Sequence, residues 1–222
     1  MKGLQIFLAD LIEQMPLIWL GIGQTLKLTV VMSITGLLLG IVVFYFRQSH
    51  LAAIRRITQA YISFFVGMPL IVLLFLMYYG LPQWGISLSP FTVAVIGFTL
   101  NVAAYNAAYL MSAYGGVDAS EIEAGRAQGF SQLQVFRLII LPQVLRLSTP
   151  SLTNQVIRNL KDSSVAFLIQ YTEFFARVQE LSATNFQLFY GYVFAALVYL
   201  FFVSIIVIAA RQLEKRMHVQ AL

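Results

Sequence analysis

The chain has 222 residues, of which 59% are hydrophobic and 10% charged, with a net charge of +5 and no cysteine. A soluble domain carries about 25% charged residues, so too little charge is present to cover a globule with a solvated surface, and disulfides and thiolate chemistry are excluded. The basic residues punctuate apolar runs instead of gathering on a polar domain, which argues against a nucleic-acid partner and for membrane topology.

Taken in chain order, residues 1–21 begin apolar, but Asp10 and Glu13 interrupt the run before it reaches signal-peptide length, so the segment reads as a retained amphipathic lead-in. A membrane span needs about 20 largely apolar residues. Residues 25–46 qualify, with Lys27 near one end where its stem can snorkel. Residues 60–79 and 91–114 qualify without any charge, and His50, between the first two, reads as solvated rather than metal-bound, as does His218.

Residues 115–149 then form a 35-residue connection. So long a loop in a compact protein is functional or disordered, and this one carries helical punctuation. Ser120 and Ser131 are expected N-caps, Gly129 is expected to separate two short helices, and Pro142 to end the second. Leu133, Phe136, Ile139 and Ile140 fall on one helical face. The segment therefore reads as a docking element, with a passive interfacial linker as the plainer alternative.

Residues 150–170 hold Arg158, Lys161 and Asp162, and hydropathy alone leaves open whether they span. If they do, those charges face protein or water. Residues 186–210 are the cleanest apolar run. Five spans put Arg47, Arg55, Arg56, Arg126, Arg137, Arg146, Arg211, Lys215 and Arg216 on one side, nine residues, against Lys2 and Arg177 on the other. The positive-inside rule then places the N-terminus outside and the C-terminus in the cytoplasm, whereas four spans would leave the C-terminal cluster outside.

Glu123-Ala124-Gly125, then Gly129 after three residues, then Ile139-x-Leu141-Pro142 after nine, resembles the EAA loop of bacterial ABC importer permeases. Gly125 stands where that pattern has its second alanine, a departure expected to loosen the first short helix without preventing docking. Phe65-x-Gly67-x-Pro69-Leu70, Leu100-Asn101-x-Ala103-Ala104-Tyr105 and Lys161-Asp162-Ser163-Ser164 are similar to stretches of polar amino-acid permeases, with Val66 and Met68 replacing an Arg and a Thr. Residues 78–90, YYGLPQWGISLSP, resemble the cystine-type members.

The resemblance implies an all-α membrane protein, one permease domain over 1–222, with five transmembrane helices and the cytoplasmic coupling loop between the third and fourth. It implies residence in the bacterial cytoplasmic membrane and no cofactor in this chain, since ATP and Mg would be bound by a partner ATPase. A second permease chain and a soluble or lipid-tethered binding protein are the other implied partners. Glu123, Ala124, Gly125, Gly129, Ile139, Leu141 and Pro142 would form the ATPase contact.

A translocation path needs polar groups that cannot face lipid. Asn101, Tyr105 and Tyr109 share a face of the third span. Asn154, Arg158 and Asp162 share one on the fourth, although Arg158 and Asp162, at i and i+4, could equally pair with each other. Gln155 stands where the permeases for basic amino acids that this stretch resembles carry Glu, which implies a neutral polar substrate such as cystine or glutamine. The competing reading is an ion-gradient-driven transporter of small polar solutes. Five spans are few for one, and it would leave the loop without a purpose.

Overall fold

The computed structural model describes residues 2–218, and their regular structure is helical throughout. α1 (Lys2–Glu13) is the amphipathic lead-in, with Phe7 and Leu11 turned inward and Leu4, Leu8 and Ile12 exposed. The chain bends at Gln14, and Pro16 sits in the first turn of α2 (Met15–Arg47), where its missing N–H breaks no bond. α2 runs 33 residues, so the expected span 25–46 is part of a longer rod. It packs along α5 (Pro90–Tyr114). Gly36 and Gly40, one turn apart on α2, face Val102 and Asn106 so closely that an added Cβ would lie 2.8 Å from either residue's Cβ. Small residues let two membrane helices approach in this way.

Residues 60–79 do not form one continuous span. α3 (Ala52–Gly67) ends, and α4 (Leu70–Phe75), with its continuation to Trp84, leaves at a bend of 100°. Pro69 disfavours a helical conformation for the residue before it, and Met68 is extended at φ −93° and ψ 132°. Hydropathy cannot register such a break.

After α5 come α6 (Ala119–Ala127) and α7 (Gln132–Val135). A π-turn (Phe136–Ile140) leads without interruption into α8 (Leu141–Asp162). Pro142 therefore does not stop the helix as expected. It lies in the first turn of α8, directly after the π-turn, where the hydrogen-bond ladder is already shifted. The segment 150–170 accordingly begins inside α8, at Pro150, and finishes as a 3₁₀ turn (Ser163–Ile169).

Gln170 and Phe186, both at positive φ, bracket α9 (Phe174–Asn185), and α10 (Leu188–His218) closes the described chain. Among the described residues three helices are long and apolar enough to cross a membrane, α2, α5 and α10 through Gln212, or four if α3 and α4 count as one broken span.

Two apolar clusters hold the ends of the bundle. Near the start of α2, Phe7, Ile18, Phe174, Val178 and Leu181 pack together. At its other end Phe44 and Leu110 meet Val135, Phe136, Ile140 and Val144. Within the first region Glu173 is fully buried. One carboxylate oxygen accepts the Ala176 N–H at 2.8 Å, capping α9, and the other accepts the hydroxyls of Thr25 at 2.9 Å and Tyr199 at 3.3 Å. A single side chain thus ties α9 to α2 and α10.

Candidate functional site

The block formed by α6, α7 and the π-turn starts from its caps. Asp118, not Ser120, opens α6: its carboxylate accepts the Ser120 N–H at 2.8 Å, a bond that holds it below the usual carboxylate range. The expected Ser131 cap is present as a capping box. Ser131 Oγ accepts the Gln134 N–H at 3.4 Å, and Gln134 Oε1 accepts the Ser131 N–H at 2.8 Å. Gly129 makes the turn between the two helices at φ +83°, a left-handed conformation that other residues adopt only under strain.

Gly125 explains its own departure from the alanine pattern. It is buried against Ile139 Cδ1, with no space for a Cβ unless that side chain moves, so two positions of the motif touch each other. Glu123, Ala124 and Pro142 are exposed, while Ile139 and Leu141 are half-buried. The expected apolar face divides: Phe136 and Ile140 are buried against α2 and α5, whereas Leu133 is 58% exposed, as is Leu138. Gln143 Nε2 donates to Glu121 at 2.7 Å, fastening α6 to the first turn of α8. The block is thus a compact unit seated on the ends of α2 and α5 with exposed acidic and apolar side chains.

The second site lies at the helix break. Where α3 stops, the carbonyls of its last turn lose their helical partners. Asn101 Nδ2 donates to the Phe65 carbonyl at 2.9 Å, and the Tyr105 hydroxyl to that of Val66 at 3.4 Å. Beside them opens a cavity of about 320 Å³ whose polar lining is Asn101, Tyr105, Arg158 and Asp162, with Val66 to Leu70 lining the rest. The Arg158 guanidinium stacks on the Tyr105 ring, 4.8 Å from its centroid. Among the described residues no ion pair joins Arg158 to Asp162, although Arg158 still acts on Asp162 electrostatically.

Four of the expected pathway residues therefore meet, whereas Tyr109, Asn154 and Gln155 are absent from the lining. Asn154 is exposed one turn before Arg158 on the same face and is not part of the cavity lining. Gln155 is 3% exposed and points elsewhere: its Nε2 donates to Asn159 Oδ1 at 2.8 Å, and Asn159 donates to Ser33 of α2 at 2.9 Å. Successive helix positions differ by about 100°, and residue 155 faces the core. The selectivity argument built on it falls with that placement. Glu173 went unread in the sequence. Its signal was a carboxylate three residues before Ala176 at a helix start, although Glu is not among the preferred capping residues.

A multi-pass helical protein whose polar groups gather at a broken helix, and whose compact helical block is fixed to the ends of two long helices, has the architecture of a membrane transport subunit. The chain belongs to the family described as "Binding-protein-dependent transport system inner membrane component", which it matches over residues 33–219. It is 37% identical over 205 residues to the probable amino-acid ABC transporter permease protein YckA of Bacillus subtilis, covering 92% of this chain and 91% of that one. It is 33% identical over 211 residues to the L-cystine transport system permease protein TcyB of the same organism, covering 94% and 90%. A solved amino acid ABC transporter crystallised with histidines superposes with a TM-score of 0.85 at 28% identity, covering 95% of this chain and 98% of that one. The chain is thus an inner-membrane permease subunit rather than an enzyme. It works with an ATPase, a second permease chain and a substrate-binding protein.

Proposed function

We propose that the chain imports an amino acid by alternating access, with the cavity at the helix break as the substrate path and the α6–α7 block as the ATPase contact. Five spans serve this reading: α2, the broken pair α3 and α4, α5, α8 with its 3₁₀ turn, and α10. The N-terminus then lies outside, and α6, α7 and the C-terminus lie in the cytoplasm, in accord with the nine basic residues counted on that side. Glu123, Ala124, Leu133 and Leu138 would meet the ATPase, Gly129 would set the turn, and the Gly125–Ile139 contact would make the block move as one piece.

The observation that carries the substrate class is the pair of unlike charges on one cavity, Arg158 and Asp162, with no ion pair between them. A guanidinium and a carboxylate four residues apart match the carboxylate and ammonium of an amino-acid zwitterion. No second carboxylate lines the cavity to receive a cationic side chain, which favours a neutral polar substrate. Names among the relatives and the solved structure include amino acids in general, cystine and histidine. Cystine or glutamine is the preferred assignment.

Reconstituted transporter tests this. Each charge-assisted contact contributes roughly 1.5–3 kcal/mol, so Arg158→Gln and Asp162→Asn should each lower uptake by about 10- to 100-fold while the ATPase still copurifies. Arg158→Gln should also erase discrimination against the decarboxylated analogue. Uptake at the wild-type rate in both variants would remove the cavity from the path.

A further inference from the structure

A second cavity, of about 150 Å³, lies beneath the α6–α7 block, between it and the ends of α2 and α5. One water needs roughly 10–15 Å³ of such space, so the volume admits a larger guest. Its polar lining is Tyr45, Gln48 and His50 from the end of α2 and just beyond, Tyr114 from α5, and Arg126 and Gln132 from the block. None of the lining residues is acidic.

The nearby carboxylates are already engaged or face away. Asp118 accepts the Ser120 N–H, Glu121 accepts from Gln143, and Glu123 is exposed and absent from the lining. Gln48 Nε2 is buried with no acceptor in reach, and among the described residues Arg126 forms no ion pair. Here a stranded amide donor is lined up with an arginine, two tyrosines and a histidine around one small space without a counter-charge.

We propose that this cavity binds a phosphate-type oxyanion. A tetrahedral oxyanion accepts from the planar Arg126 fork while the amide and hydroxyl donors take its remaining oxygens. Resting on the cytoplasmic assignment above, the cavity lies just beyond Arg47 at the end of α2, where basic pockets between membrane helices meet anionic headgroups. Free phosphate and a phospholipid headgroup present the same chemistry. The bound anion would bridge the end of α2 to the block, through Gln48 and His50 on one side and Arg126 and Gln132 on the other. It would thereby stiffen the seat on which the ATPase acts.

The experiment uses the full-length chain purified in detergent without its ATPase, so that nucleotide sites contribute nothing. Its thermal transition is followed against inorganic phosphate and against chloride at matched ionic strength. In parallel, it is followed in nanodiscs of zwitterionic lipid with and without phosphatidylglycerol. A ligand of the folded state raises the transition as its concentration passes Kd. Phosphate should raise it where chloride does not, with apparent affinity weakened about tenfold or more in Arg126→Gln, less in Arg126→Lys, and also weakened in Gln48→Leu. A response confined to phosphatidylglycerol nanodiscs and lost in the same variants assigns the anion to the lipid. No response to either source, or responses unchanged in Arg126→Gln and Gln48→Leu, overturns the proposal. A topology reporter placing residue 130 outside would instead sink the cytoplasmic assignment and leave the binding result standing.

Discussion

Replacing Glu173 by alanine is expected to loosen the fold where α2, α9 and α10 meet. The carboxylate accepts three hydrogen bonds from complete burial, one from the Ala176 backbone and two from the hydroxyls of Thr25 and Tyr199. In Glu173→Ala the Thr25 hydroxyl can turn to a carbonyl of its own helix and the Tyr199 hydroxyl to Ser163 or Ser164, but the Ala176 N–H is stranded. A buried unsatisfied donor costs about 1–3 kcal/mol. For a chain of this size each kcal/mol moves the midpoint by about 2–4 °C, so a drop on the order of 5 °C is expected. Glu173→Gln keeps an acceptor for Ala176 and turns its NH₂ toward hydroxyls that can accept, so its cost should stay near 1 kcal/mol. With no cysteine for thiol-reactive dyes, the assay is the monodisperse fraction left after heating, read by size-exclusion chromatography. An alanine variant within about 2 °C of wild type, or a glutamine variant as labile as alanine, would refute this account of the cluster.

Three further outcomes follow from other parts of the molecule. Gly129→Val forces a β-branched residue into a φ of +83°, at a cost of about 1–2 kcal/mol; ATPase copurification should fall while membrane insertion, read by fractionation, is retained. Gln155→Glu would bury an uncompensated carboxylate against Asn159, so folded yield should drop with no gain in arginine uptake; a well-folded variant with improved arginine uptake would return residue 155 to the pathway. Topology reporters fused after residues 85 and 180 should report the outside, and those after 52, 130 and 222 the cytoplasm; a cytoplasmic signal at 180 means that α8 does not span.

The long apolar helices were legible because composition alone defines them, and so was the division of the loop at Gly129 and Ser131, where turn chemistry is local. The break at Gly67–Pro69 is carried by a sequence motif, but a hydropathy window absorbs it because it counts apolar residues without regard to direction. Asn154 and Gln155 are polar neighbours, and nothing in their identity says which of them faces the core; packing against Ser33 and Asn159 decided it. Glu173 was hidden for a related reason. Its partners lie 148 residues before it and 26 after, and no local pattern announces them.

The seat of the α6–α7 block has a mechanical consequence. Phe44 and Leu110 stand near the ends of two rods of 33 and 25 residues, so a thrust on the block is delivered to both at their bases. At 1.5 Å per residue α2 is about 50 Å long, and a tilt of about 5° swings its far tip by roughly 4 Å. Glu173 clasps that half of the rod to α9 and α10. Under the proposed ATPase contact, the stroke would reach the opposite face as a shared displacement of three helices.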